Sequence, residues 1–491
     1  MKKLRIFTFH FSHFTIEVLF TLLFGVAVLL FFGLAYPHHL HYQEQFQLFL
    51  FDGTYVCDMV KQPGGIADLL GRFCTQFFLF AWVGALIIAL LLSAVQLLTL
   101  RLTNYPLSII HYPLLYGLSF VPSFLLWLFL LDEHALLGGI WAVLLTQLAM
   151  WGCFQIPKGW KQYIAIIVAI IVLYWLAWGG SHYHRYPTVV PVLLYAAWLS
   201  ALILPIMMGL VVKGKKSENT QRQNYSLTIP EQSSPTRSLS HLIPLTSFTL
   251  VALVMGTLVW KNANFKAEKV MGYDFMACHQ QWNRILETVS KEKPNNQIGV
   301  TVQNLALAMH GQLADHLFDF NQNGISGLLP DVQSDATSPM PTAEAFYQLG
   351  MIYVAQRTVY EAQEAILDFQ KSARCYKRLA QTNLINGNYE VARKYLTALQ
   401  KTLFYREWAN ETLQLLKDEK AIANHPEYGR LRQYVYDEDF YFSDHVTPEM
   451  LEQLFFRNTD NHVALEYLKA YYMLTNDREG YARLLLKLKE Q

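Results

Sequence analysis

Acidic and imidazole side chains collect in short segments between long apolar runs. Glu44, Asp52, Asp58 and Asp68 fall between the runs at 16–36 and 77–100, Asp132-Glu133-His134 follows the third run, and Ser181-His182-Tyr183-His184-Arg185 follows the fifth. A carboxylate beside a second carboxylate or an imidazole suits base chemistry or metal binding, because the neighbour shifts its protonation. A plainer reading stands beside this one: turns between apolar helices must be polar, and such groups also solvate helix faces. His38, His39 and His41 have two readings as well, metal ligation or an interfacial imidazole cluster. Glu17, near His10 and His13, is either a proton-relay group or a snorkelling one.

The elements that must position these groups are membrane helices. Of the 491 residues 53% are hydrophobic and only 16% charged, where a soluble chain carries about a quarter. Seven windows are long enough to span, each near the roughly 20 residues a bilayer requires: 16–36, 77–100, 107–131, 135–154, 162–179, 188–212 and 242–260. The first follows Met1-Lys2-Lys3-Leu4-Arg5, but it is too long for a signal core and has no small-x-small cleavage site. With the N-terminus inside, Lys2, Lys3, Arg5, Arg101, Lys158, Lys161, Lys213, Lys215, Lys216, Arg222 and Arg237 are cytoplasmic, against Lys61, Arg72 and Arg185 outside. That bias sets the orientation and puts the C-terminal part outside the cytoplasm. The expected fold is therefore all-α: a polytopic bundle of about seven transmembrane helices over 1–260, then a soluble helical domain over 261–491. Residues 213–241, rich in Ser, Gln, Asn, Thr and Lys, read as a flexible cytoplasmic linker. A net charge of +1 and the lack of a basic tract with aromatic platforms exclude a nucleic-acid partner.

The first outer loop, 37–76, carries most information. Phe46, Phe49, Leu50, Cys57 and Val60 recur near helical spacing and predict an amphipathic helix, which Pro63-Gly64-Gly65 ends. Ile66, Leu69, Leu70, Phe73 and Phe77 restart the pattern, with Asp68, Arg72 and Gln76 on another face, as in a helix lying at an interface. Cys57 and Cys74 flank the turn and face one oxidising compartment, where a disulfide could form.

Residues 262–491 show helical periodicity without alternating strands. Phe346, Leu349, Gly350, Tyr353 and Ala362, then Tyr376, Leu379, Ala380, Gly387, Tyr389, Ala392 and Leu396, resemble a degenerate tetratricopeptide (TPR-like) array. Such arrays bind peptides or subunits, and no nucleophile, phosphate-loop or paired-cysteine motif accompanies them.

Two family resemblances follow. The stretch from Pro63-Gly64-Gly65 to Gln76-Phe77-Phe78, with Ala314-Asp315-His316-Leu317-Phe318 and Gly327-Leu328-Leu329-Pro330, resembles an uncharacterised family of Bacteroidota membrane proteins, known as a domain of unknown function. It implies a bacterial inner membrane and a periplasmic C-terminal domain, and no activity. The architecture is also similar to GT-C glycosyltransferases, which use lipid-linked donors and an acidic residue in the first outer loop. By that likeness Glu44, Asp52 or Asp58 is the first-loop catalytic carboxylate and Asp132 or Glu133 the second. Arg185 or Lys61 meets the phosphate of a polyprenyl-phosphate-linked glycan, and a divalent metal has a place. No acidic motif of that group matches here, and the loop holding Asp132 is very short. The function expected is transfer of a sugar or oligosaccharide to a periplasmic acceptor. Its alternative is a non-catalytic scaffold that recruits cell-envelope proteins through the helical domain.

Overall fold

The computed structural model describes residues 18–102, 117–157, 159–177, 192–204, 242–331, 338–366, 370–435 and 448–490. Among them every named element is a helix, and only an isolated bridge joins Asn323 to Ile325. The chain divides into two compact units: one holds Met1–Glu44 and Asp52–Phe265, the other Gln45–Phe51 and Lys266–Gln491.

In the first unit, α1 (Val18–Ala35) and α5 (Ala81–Arg101) are long and apolar enough to cross a membrane. At a rise of about 1.5 Å per residue each matches a hydrocarbon core of about 30 Å. Two helices, rather than the seven windows expected, meet that test among the described residues. The windows at 107–131 and 188–212 lie partly outside those residues, and the linker 213–241 lies wholly outside them. Between the two come α2 (Pro37–Glu44), α3 (Gly53–Val60) and α4 (Gly65–Thr75). After them follow α6 (Val121–Phe129), α7 (Gly138–Gln155), α8 (Trp160–Ala177), α9 (Val192–Leu204) and α10 (Leu242–Asn262).

The unit exposes many large apolar side chains and encloses several polar ones within its apolar core. Leu22, Leu34, Leu86, Leu90, Ile167, Ile170 and Leu253 are exposed, whereas Gln96, Thr99, Ser119, Ser123 and Gln147 are fully buried. Several inner groups bond to one another: Thr21 Oγ1 donates to Gln96 Oε1 at 2.9 Å, and Gln96 Nε2 donates to Ser119 Oγ at 3.1 Å. Gln147 Nε2 likewise donates to Thr99 Oγ1 at 2.8 Å. Such bonds fix the register of helices whose apolar faces cannot choose among neighbours.

The second unit is built from helix hairpins. Its first helices are α11 (Phe265–Cys278), α12 (Trp282–Glu292) and α13 (Gln297–Met309). The hairpins pair α14 (Pro339–Leu349) with α15 (Ile352–Ala365), and α16 (Ala373–Ile385) with α17 (Tyr389–Leu399). Beyond α18 (Arg406–Leu415) and α19 (Tyr428–Tyr434) come α20 (Pro448–Arg457), α21 (His462–Thr475) and α22 (Arg478–Lys489). Side-chain caps start some of these helices: Asn296 accepts from Gly299 N at 2.8 Å and Ser372 from Cys375 N at 3.1 Å. Gly350 closes α14 at φ +86°, a left-handed conformation that costs glycine little. Residues of the two motifs noted at 314–318 and 327–330 are structural. Ala314 N donates to Glu466 at 3.0 Å, and Leu328 and Leu329 are core residues.

One expectation for the first loop fails. Helix α2 ends at Glu44 and α3 starts at Gly53, and residues 46–52 form no helix between them. Their amides instead find carbonyls in the second unit: Leu48 N donates to Lys371 O at 2.9 Å and Phe51 N to Lys401 O at 2.7 Å. Leu48 enters that unit's core. The apolar spacing of Phe46, Phe49 and Leu50 thus reflects packing of a non-helical segment, not a helical face.

Small residues do lie where helices crowd: Ala362, Ala380 and Ala392 are essentially unexposed. Replacing Ala392 with Trp overfills that space and is expected to cost about 1–3 kcal/mol. Thermal unfolding of the purified chain, followed by circular dichroism, checks it.

Candidate functional site

The expected catalytic carboxylates take several different structural roles. Asp52 is the N-cap of α3, accepting from Thr54 N at 3.1 Å, Tyr55 N at 3.2 Å and the Thr54 hydroxyl. Asp58 is exposed and pairs with Lys61, also exposed, at 3.4 Å. Glu44 ends α2 and is buried. Asp132 and Glu133 are half-buried in the connection between α6 and α7. Arg185 lies outside the described residues.

A polar layer forms around Asp132. His39, fully buried, donates from Nε2 to Leu130 O at 2.9 Å. Gln43, one turn further along α2, donates to the Asp132 and Ala135 carbonyls at 3.3 and 3.2 Å. His134 N donates to Asp132 Oδ1 at 2.9 Å, and its Nδ1 lies 3.5 Å from the same oxygen. Burial opposes ionisation of Asp132, but the bonds from His134 outweigh it and hold the carboxyl below its usual range. Burial likewise opposes the charged form of His134, and Asp132 with Glu133 outweighs it and raises that imidazole. His39 is pushed down to about 4, mainly by burial. A carboxylate held ionised in this way suits electrostatic roles better than proton abstraction near neutral pH.

The polar face of α4 is buried, against expectation. Asp68 and Gln76 are each 7% exposed, and Arg72 reaches Asp68 at 3.5 Å. Burial raises the Tyr55 hydroxyl, with the Arg72 guanidinium beside it opposing that shift. Close approach makes this packing: a Cβ on Gly71 would lie 2.3 Å from Gly138 N, and one on Gly138 would lie 2.8 Å from Asp68 Oδ1. The Pro63-Gly64-Gly65 turn is equally tight, since a Cβ on Gly65 would lie 1.8 Å from Met59 O. Gly64 N donates to Trp175 O at 3.0 Å. The sequence signal for this burial was the glycine at 71 facing the pair Gly138-Gly139.

His38 and His41 have rings 5.9 Å apart, and no group of three His, Cys, Asp or Glu among the described residues could hold a metal ion. Cys57 and Cys74 are free thiols.

A second charged cluster, missed in the sequence, lies inside the helical unit on α16. Arg374 donates from Nη2 to Asp274 at 2.8 Å and also pairs through Nη1. Arg378 donates to Glu344 at 2.5 Å, its guanidinium 3.8 Å above the Tyr347 ring, and Tyr347 donates to Glu427 at 2.9 Å. Burial disfavours both guanidinium charges, but the carboxylates outweigh it and raise both groups. Burial pushes the neighbouring Cys375 thiol up to about 11, making it a poor nucleophile.

Two tests follow from these placements. Below about pH 6.5 the unfolded chain takes up a proton that buried His39 refuses, so stability falls toward pH 4 by up to about 3 kcal/mol. His134 acts oppositely: its contribution is complete below about pH 6.5 and is lost as pH rises through its raised value. Melting temperatures from pH 4 to 8 should therefore lose their acid limb in His39→Gln and their neutral limb in His134→Ala. Glu344→Ala leaves Arg378 buried without its carboxylate and should cost about 3–5 kcal/mol, read as a shifted urea midpoint.

No curated protein and no solved structure matches the chain. A family model described as a family of unknown function matches residues 12–490. The chain belongs to that family, DUF6057.

Proposed function

We propose that this protein is a membrane-anchored scaffold whose helical unit recruits other proteins of the cell envelope. One observation carries the reading: the helical unit holds the non-helical segment Gln45–Phe51 through main-chain hydrogen bonds and a buried leucine. Extended peptides are recognised by the same means in other binding modules. The hairpins α14–α15 and α16–α17, with buried alanines between them, suit the TPR-like reading of the sequence.

The anchor is the first unit. Its exposed leucines and isoleucines on α1, α5, α8 and α10 would be costly in water but are at ease against lipid. In full, the proposal is a bundle of about seven spans in a bacterial inner membrane, with the N-terminus cytoplasmic and residues 261–491 periplasmic, as the distribution of Lys and Arg favours.

A transferase using a polyprenyl-phosphate-linked glycan is the second reading, favoured only by the gathering of Asp132, Glu133 and His134 near His39. The roles of Asp52 as a cap and Asp58 as a surface ion pair weigh against it.

The two readings separate experimentally. Deleting 340–400 should abolish co-purification of cross-linked envelope proteins, while Glu44→Gln, Asp52→Asn, Asp58→Asn, Asp132→Asn and Glu133→Gln leave both partners and envelope glycans unchanged. Loss of glycan attachment in one of these variants, at unchanged abundance, would transfer the assignment to the enzyme. A phosphatase fused after residue 491 should be active, and one fused at 225 inactive; the reverse pattern overturns the orientation.

A further inference from the structure

The segment Gln45–Phe51 is bound in the way a ligand is bound. Most of it forms no helix, so its amides need acceptors elsewhere. Leu48 N uses Lys371 O, just ahead of α16, and Phe51 N uses Lys401 O, just past α17. The two bonds, three residues apart, depend on backbone alone. Side chains add selectivity, Leu50 packing against the same core as Leu48. Leu48 is buried in the core of the helical unit, and the Gln45 carbonyl oxygen accepts from Arg374 Nη1 at 3.4 Å.

The receiving face also has capacity that this segment leaves unused. Arg374 Nε, on the same guanidinium that meets Gln45, has no hydrogen-bond partner among the described residues, although Arg374 is more than nine-tenths buried. A buried donor in that state weakens the closed arrangement and favours any occupant able to meet it.

We propose that the surface of α16 and α17 beneath Gln45–Phe51 is an exchangeable peptide groove. Its external ligand is a short non-helical segment of a partner protein with a side-chain carbonyl three residues before a leucine. Such a segment displaces the resident one, takes over the bonds from Leu48 N and Phe51 N, and presents its carbonyl to Arg374. This deepens the recruitment reading and rests on it. The resident segment, joined to the chain at both ends, competes at an effective concentration of about millimolar or more, so the groove is closed until a partner is abundant or better matched.

The test uses the full-length chain in detergent and a fluorescent synthetic peptide of residues 43–53. Leu48→Asp in the chain should expel the resident segment, because a carboxylate is not accommodated unpaired in an apolar core. The wild-type peptide should then bind that chain at least about tenfold tighter than it binds the unmodified chain. A peptide carrying the same Leu48→Asp change should not bind. If the Leu48→Asp chain keeps its helical dichroism and gains no affinity, the groove is not exchangeable. Should that chain fail to fold, Gln45→Ala leaves the leucine in place, and a folded Gln45→Ala chain with no gain in peptide affinity overturns the proposal equally. Peptide binding without any partner lost on deleting 340–400 would uphold the groove and remove the recruitment role. Partners retained equally by both chains, with no peptide binding, would uphold recruitment and remove the exchange.

Discussion

A backbone amide shielded from water must find an acceptor, and between Glu44 and Gly53 this chain has no helix to supply one. The acceptors come from Lys371 and Lys401, more than three hundred residues away in sequence. That requirement assigns Gln45–Phe51 to the helical unit while the residues on either side stay with the other. It explains why α2 stops, why Asp52 is needed to restart the chain as a cap, and why Leu48 is a core residue of a unit it does not adjoin in sequence.

The first unit exposes many large apolar side chains and also encloses, within an apolar core, glutamine, threonine and serine groups that bond to one another. Hydrophobic contact alone selects poorly between equally apolar helix faces, so directional bonds and glycine contacts such as Gly71 against Gly138 set the packing. Burial of Asp68 and Arg72 follows: once the glycines let α4 approach α7, the polar stripe of α4 is enclosed with them.

Charge inside the helical unit follows a different rule. Arg374 and Arg378 are paired with Asp274 and Glu344, and Tyr347 stacks beneath one of them. Removing one partner costs far more than the pair contributes, so such a cluster specifies an arrangement more than it strengthens it. Helices α11, α14, α16 and α19 are held in one register by it.

Composition and periodicity alone determined that the chain is helical, that it has an apolar first half and a polar second half, and that glycine was required in the turn at 63–65. These are local properties, set by residue type and 3.6-residue spacing. The caps Ser372 and Asn296 and the closing Gly350 of the second unit act on their own neighbours, yet helical periodicity alone did not mark where those helices begin and end. The candidate site was legible only as a set of names. Asp132 could be seen beside His134, but not His39 against Leu130, since that meeting depends on how α2 packs. Asp52 looked like a catalytic acid and is a cap, a role decided by where the helix begins. The periodic apolar residues at 46–50 predicted a helix, and tertiary structure overrode them by offering distant carbonyls and a pocket for Leu48. The buried arginines of α16 gave no signal, because an ion pair across a fold has no spacing in the sequence.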